Sequence, residues 1–308
     1  MSDYAFILNP KAGRGASLRV LDPLKRELHS RGVDYDLLLT QNEGDAIRIA
    51  KEVGSRIVVA VGGDGTVNEV VNGIIGTGKT LGIIPAGSGN DLVKSIDISV
   101  NLSDAIEILL RGMTQPVDVG TVSCFGPERI GPRDGNHKER YFVNGIGAGF
   151  DAAVADKTRR IKYLSGTLLY LVAVLRTLGE YEAPDFEVSV DGCIQARKQL
   201  LIAVGNGRCA GGGFYLTPDA IIDDGFLDLC LIDEMSVPGV LRIMPKVMRG
   251  KHIGARGVSF LKGKMISIRA GQPFFVHADG EMVGRNVNTV EIGLLEKSLN
   301  VIVGDGIS

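Results

Sequence analysis

The sequence lacks a strong excess of charge of either sign. Its 308 residues carry 34 lysines and arginines against 36 aspartates and glutamates, a formal net charge of -2. Long-range attraction to nucleic acid is not indicated, and no nucleic-acid partner is expected. Paired cysteines are missing as well. Cys124, Cys193, Cys209 and Cys230 are widely spaced and form no CxxC. That argues against a zinc site and for buried free thiols in a reducing compartment, the cytoplasm. The N-terminus MSDYAFILNP has neither the basic nor the long apolar region of a signal peptide. The longest apolar tract, Tyr163 to Leu178, is interrupted by Ser165, Gly166 and Arg176 and is too short to span a bilayer. Internal repeats and low-complexity tracts are absent. What is abundant is glycine, 42 residues of 308, about twice the usual share. Many glycines cluster, so loops rather than cores are the place to look for function.

The length suggests about two domains. Residues 1–115 alternate short apolar runs with helical patterns. Tyr4–Leu8, Asp36–Thr40, Ile57–Val61 and Leu81–Ile84 read as strands. Between them lie helices. The first is capped by Ser17, with Leu18, Leu21, Leu24 and Leu28 on one side. Others run over Asp45–Val53, from a capping box at Thr66-Val67-Asn68-Glu69, and over Ser103–Arg111. This alternation predicts an α/β domain with a mostly parallel sheet covered on both faces. Residues 116–308 read as an antiparallel β-rich domain with helical insertions at about Asp151–Leu178 and Ser236–Met248. Its strands are Phe186–Val190, Gln199–Val204, Phe226–Ile232, Met265–Arg269, Phe274–Ala278 and Thr289–Leu294. Asp191-Gly192 is a hairpin signal. The Gly- and Pro-rich segment Phe125–Lys138 reads as a loop. The final apolar run at 299–303 can return to either domain.

Three glycine-bearing loops follow strands at one edge of the first sheet. Gly62-Gly63-Asp64-Gly65-Thr66 joins a strand to a helix, where close backbone approach, positive φ and free N–H groups suit a phosphate. Asp64 would repel phosphate directly, so its role there runs through Mg²⁺ or its water shell. Pro85-Ala86-Gly87-Ser88-Gly89-Asn90-Asp91 and Asn9-Pro10-Lys11-Ala12-Gly13-Arg14-Gly15 follow other strands. Open α/β sheets bind ligands at such strand ends, so the set points to a nucleotide site. One match misleads. Gly73–Thr80 fits GxxxxGK[ST] but follows a helix and opens a strand, the reverse of a P-loop, so Lys79 is read as part of a helix-ending turn.

These loops resemble the catalytic domain of bacterial diacylglycerol kinases and of the related sphingosine and ceramide kinases. The carrying segments are NPKAGRG at 9–15, GGDGTVNEVVNG at 62–73 and PAGSGNDLVK at 85–94. In the second half they are NGIGAGFDA at 144–152, GNGRCAGGGFYLTPDAIIDDGFLDLCLI at 205–232 and HADGE at 277–281. The resemblance covers nearly the whole chain in order. It implies a Rossmann-like first domain of the NAD kinase and phosphofructokinase type. It also implies an ATP- and Mg²⁺-dependent kinase acting on the hydroxyl of a diacylglycerol-like lipid. ATP would be held by Asn9, Thr40, Gly63, Asp64, Gly65, Thr66, Asn68, Glu69, Ser88, Gly89, Asn90 and Asp91. Ser88 stands where many bacterial members have threonine, and a hydroxyl is retained.

An alcohol attacking a γ-phosphoryl group needs a proton acceptor, a metal and positioning. Read alone, Asp279-Gly280 is a hairpin turn. The resemblance aligns Asp279 with the family's general base and Glu281 with a neighbouring polar network, and gives His277 no role. At Asp223-Asp224-Gly225 it implies a structural Mg²⁺ on Asp224, with the carbonyls of Ile221 and Phe226 as further ligands. Gly211-Gly212-Gly213 allows a tight chain crossing. The alternatives are a sphingoid-base or other lipid kinase, NAD kinase, and a non-catalytic binding module. Asp64, Asp91 and Asp279 together argue against the last. The protein is expected to act peripherally at a membrane surface, through Lys157, Arg159, Arg160 and Lys162 with the apolar tract that follows. A homodimer is compatible with the sequence.

Overall fold

The computed structural model describes residues 2–126, 139–160, 173–174 and 176–305. They form two compact units. The first holds Met1–Val119, Ile222–Asp224 and Leu295–Ser308, and the second Gly120–Ile221 and Gly225–Leu294.

In the first unit, β1 (Tyr4–Leu8), α1 (Ala16–Ser30), β2 (Tyr35–Leu39), α2 (Asp45–Glu52), β3 (Ile57–Gly62), α3 (Asp64–Ile74), β4 (Thr80–Pro85) and α4 (Leu102–Arg111) follow in order. Strand β1 pairs in parallel with both β2 and β3, and β3 pairs in parallel with β4. Near the end of the chain, Asn300 and Val301 extend the set, parallel to Thr80 and Leu81. Strands β1 and β3 read as near-continuous apolar runs because both faces are covered: Phe6, Ile7, Leu8, Val58, Val59, Ala60 and Val61 are fully buried.

Two helix starts differ from expectation. Ser17 lies inside α1 rather than capping it. Its hydroxyl donates to the Asn9 carbonyl at 2.5 Å, because a 3-10 turn over Ala12–Gly15 precedes the helix. Leu18 consequently faces solvent, leaving Leu24 and Leu28 to pack inward. Helix α3 starts at Asp64, before the expected capping box, so Thr66 is a buried interior residue. The true side-chain cap of this unit is Asn101, which accepts from the Ser103 and Asp104 N–H groups at the start of α4.

The second unit contains the latter half of β5 (Thr114–Phe125), then β6 (Arg140–Phe142), β7 (Gly145–Gly149), α5 (Phe150–Arg160), β8 (Asp185–Val190), β9 (Cys193–Gly205), β10 (Leu227–Asp233), α6 (Val237–Val247), β11 (Val258–Gly263), β12 (Ile266–Ala278) and most of β13 (Glu281–Ile302). The registered pairs are antiparallel: β5 with β6, β7 with β9 and β12, β8 with β9 and β12, β9 with β10, β10 with β11, and β12 with β13. The strands predicted at Met265–Arg269 and Phe274–Ala278 are one bent strand, β12, whose register shifts between Arg269 and Phe274.

Side-chain alternation along β9 and β10 feeds two separate cores. Ile202, Val204, Leu227, Leu229 and Leu231 point into one, where Phe186 and Phe274 meet edge to face at 5.0 Å. Leu201, Ala203, Cys230 and Ile232 point into the other, against Phe150 and Val154 of α5 and Val240 of α6. Burial on both faces explains why Leu200–Val204 of β9 and Leu229–Ile232 of β10 are uniformly apolar. The Phe125–Lys138 loop falls outside the described residues from 127 on. So does the helix expected up to Leu178 between Arg160 and Ala173, together with Lys162 and most of the apolar tract.

Candidate functional site

In the first unit the three glycine loops meet. A Cβ at Gly87 would stand 2.3 Å from the Gly63 Cα, and one at Gly13 would stand 2.6 Å from the Ala86 carbonyl oxygen. Gly13 has φ +57°, but Gly62, Gly63 and Gly87 do not have positive φ. The expectation of left-handed backbone at 62–65 is thus corrected. Those glycines are required for space: Gly63 and Gly87 lie backbone against backbone, and Gly62 leaves room for the Thr66 side chain. Asp64 ties two of the loops together by accepting from the Asp91 N–H at 2.6 Å. Asn90, at φ +49°, closes its own turn by accepting from the Gly87 N–H and donating to the Gly87 carbonyl. Asp91 is buried and pairs with Lys94 at 2.8 Å. Ser88 is exposed at the tip, and Asn9 begins the third loop, with its side chain accepting from the Lys11 N–H. Helix α3 starts within the Gly62–Thr66 loop, and the first N–H groups of a helix have no intrahelical acceptor. Close-packed glycine loops around the start of α3 fit a polyphosphate.

Three of the residues expected at the nucleotide are otherwise engaged or enclosed. The Glu69 carboxylate accepts from the N–H groups of Gly44 and Ala46, at 3.0 and 3.1 Å, and so holds the start of α2. Asn68 is buried inside α3. Thr40 is buried after β2, its N–H donating to the Leu8 carbonyl. Lys79 is far from a P-loop role. Its ammonium donates to the carbonyls of Ala50 and Lys51 at the end of α2, and burial lowers its pKa.

In the second unit, Asp279 and Gly280 form the β12–β13 turn, with φ of +48° and +80°. The Asp279 carboxylate accepts from the N–H groups of Val143, Asn144 and Gly145 at 3.0, 3.0 and 2.9 Å. It is a buried staple on the chain entering β7. Glu281, half-buried, follows two residues on. Beside the turn, His277 Nε2 lies 3.2 Å from Asp151 Oδ2, both side chains being buried. Gly147 makes this pair possible. A Cβ there would stand 1.8 Å from Asp151 Oδ2 and 2.4 Å from His277 Nε2. Among the described residues, Nδ1 of His277 has no hydrogen-bond partner. Composition gave no hint of this pair, because the signal is a glycine in one strand opposite a histidine in the next.

Asp151, His277 and Gly280 stand at a cavity of about 130 Å³ whose other walls are almost entirely apolar, including Phe150, Leu201, Phe214, Ile243 and Met244. Cys230 lies in the core behind it, and burial with the Asp151 charge pushes its thiol up to about 12, leaving it unreactive. Among the described residues, no group of three or more His, Cys, Asp or Glu side chains is arranged to hold a metal. The predicted Asp224 set contains only one carboxylate, and its neighbour Asp223 accepts from Gln115 at 2.8 Å. Gly211, Gly212 and Gly213 all have positive φ, and the Ala210–Phe214 bridge closes that turn.

Glycine loops with room for phosphate in one unit, and in the other an apolar cavity that reaches the Asp151 carboxylate, are the parts that a kinase of apolar acceptors needs. Residues 3–122 match the diacylglycerol kinase catalytic domain, and residues 144–303 match the YegS C-terminal NAD kinase beta sandwich-like domain. A diacylglycerol kinase of Mycobacterium tuberculosis is 30% identical over 89% of this chain and 87% of its own length. A probable lipid kinase YegS-like of Xanthomonas oryzae pv. oryzae is 30% identical over 91% of this chain and 90% of its own. The crystal structure of a diacylglycerol kinase from Bacillus anthracis str. Sterne superposes with a TM-score of 0.74 at 26% identity, covering 100% of this chain and 99% of that one. The chain belongs to the diacylglycerol kinase family. It is a lipid kinase, with ATP as a substrate.

Proposed function

We propose that the protein transfers the γ-phosphoryl group of ATP to the free hydroxyl of a diacylglycerol, giving phosphatidic acid and ADP. The observation that carries this reading is the apolar cavity ending at Gly280, between Asp279 and Glu281. Acyl chains in the cavity place the glycerol hydroxyl at that turn. The hydroxyl oxygen then bonds to the γ-phosphorus as its bond to the bridging oxygen of ADP breaks, and the hydroxyl proton passes to a carboxylate. The geometry favours Glu281 as that acceptor, with Asp279 as a positioning residue, because the Asp279 oxygens are committed to three backbone N–H groups. In the first unit, the 63–66 and 88–91 loops bind the phosphates, with Asn9 and Thr40 beside them. Glu69 acts by holding α2. Mg²⁺, when bound, offsets phosphate charge. At the nucleotide Asp64 would hold it, directly or through its water shell, and Asp224, with the Ile221 and Phe226 carbonyls, would hold a separate structural ion.

The Asp151 carboxylate in the cavity supports a second reading, a sphingoid base whose ammonium would pair with it. NAD kinase activity has no such support, since the cavity is apolar. Among the described residues no helix is long and apolar enough to cross a membrane. We place the enzyme in the cytoplasm, peripheral to the membrane that holds its substrate. The test offers γ-labelled ATP with diacylglycerol, a sphingoid base, ceramide and NAD as acceptors. Diacylglycerol should be labelled at the highest kcat/KM. Preferential labelling of the sphingoid base selects the second reading, and labelling of NAD alone overturns both.

A further inference from the structure

We infer that the segment Val237–Arg256, built on α6, is the face by which this kinase docks on an anionic lipid bilayer. The inference rests on the lipid-acceptor reading above and adds where the lipid is met. Helix α6 has three stripes. Val240, Ile243 and Val247 are buried, and with Met244 they wall the apolar cavity. Next to them, Val237, Leu241 and Met248 are 42%, 42% and 39% exposed, and Ile253 just beyond is 51% exposed. The third stripe is Arg242, Lys246 and Arg249, all exposed, continued by Lys251 and Arg256. None of these five has an ion-pair partner among the described residues.

The sequence around this helix is one-sided. From Met235 to Ala278 there is no aspartate or glutamate, in a chain whose net charge is -2. Acidic groups do approach from the end of β10, where Asp233 and Glu234 share a groove with Arg242, Lys246 and Arg256. Glu234 is engaged by Lys198 at 3.1 Å. Exposed apolar side chains beside long basic ones are the pattern of an interfacial helix, with apolar groups entering the acyl boundary and cations at the headgroups. A second copy of the chain is a poor occupant, because a two-fold contact would set the same cations against each other. A bilayer satisfies both stripes. It also puts a lipid one helix thickness from the cavity that α6 lines. Of the 157–162 cluster, only Lys157 has a described side chain, and it is paired with Glu180 at 2.6 Å.

The test is co-sedimentation of the full chain with vesicles of phosphatidylcholine alone or mixed with phosphatidylglycerol. The wild type should favour the anionic vesicles, and salt should release it. Arg242→Gln with Lys246→Gln and Arg249→Gln should weaken anionic-vesicle binding on the order of a hundredfold. Leu241→Ser with Met248→Ser should weaken it at every salt concentration. Both sets are exposed and do not line the cavity. Both variants should therefore keep wild-type melting and wild-type turnover of a short-chain, water-dispersed diacylglycerol, while losing turnover of vesicle-embedded substrate. Equal sedimentation of wild type and variants, or equal wild-type binding to neutral and anionic vesicles, overturns the docking face. Loss of self-association in place of vesicle binding overturns it in favour of a second copy. A wild type that binds anionic vesicles but phosphorylates neither form of diacylglycerol sinks the substrate reading and leaves the docking face standing.

Discussion

At the scale of single residues, the proposed reading gives the two carboxylates of the HADGE turn different work. Asp279 faces three backbone donors, and no neutral side chain of its size can accept them all. In Asp279→Asn one oxygen remains and the new NH₂ opposes an N–H. Leaving a buried donor unpaired costs about 1–3 kcal/mol, so this variant should melt earlier and lose activity together. Glu281→Gln should instead melt closer to wild type than Asp279→Asn does and lower kcat by roughly 10²–10⁴-fold, the usual range for losing a general base. Thermal melting and steady-state kinetics on both variants separate the roles. An Asp279→Asn protein that melts like wild type yet loses turnover, beside an active Glu281→Gln, would return the base to Asp279. The sequence showed the turn, since Asp-Gly is a hairpin pair, and the resemblance supplied the chemistry. Neither showed the three N–H groups, because they belong to residues more than a hundred positions earlier in the chain.

At the scale of elements, α2 shows how a misleading motif acquires a structural role. Glu69 accepts from two N–H groups at its start, and Lys79 donates to two carbonyls at its end. Both charges suit the helix dipole. Lys79→Ala should therefore cost about 1 kcal/mol of stability, read by urea unfolding, while turnover stays within about tenfold of wild type. Glu69→Gln should destabilise comparably. A larger loss of turnover in Lys79→Ala, with stability intact, would mean that the lysine serves the phosphates after all. Elements of the first unit were legible because each strand is an apolar run ended by glycine or a polar turn. Strand β7 was not legible. Its sequence, Gly145-Ile146-Gly147-Ala148-Gly149, has no alternation to read, because Gly147 must leave room for Asp151 and His277. The polar half of β9, Cys193–Lys198, was missed for a related reason. Its side chains are largely exposed, so it lacks the buried pattern that marked Gln199–Val204.

At the scale of the whole molecule, the chain leaves the first unit near Val119, returns for Ile222–Asp224, and returns finally from Leu295. Sequence periodicity sees neighbours along the chain, so it could mark the change of rhythm near residue 116 but not these returns. Each unit has its own buried core, and the cavity is built wholly from residues of the second. A change confined to the cavity should therefore spare the nucleotide. Met244 lines the cavity from α6 and is only partly buried, so it can take a larger side chain with modest strain. Met244→Trp should fill space that acyl chains would occupy. Overpacking of this kind typically costs about 1–3 kcal/mol, a lowering of melting temperature that leaves the protein folded at assay temperature. We expect kcat/KM for long-chain diacylglycerol to fall at least tenfold, about 1.4 kcal/mol of transition-state binding. ATP affinity, measured by calorimetric titration, should be unchanged. Wild-type kinetics in this variant would remove the cavity from the acceptor's path. Weakened ATP binding would show that the two units are coupled.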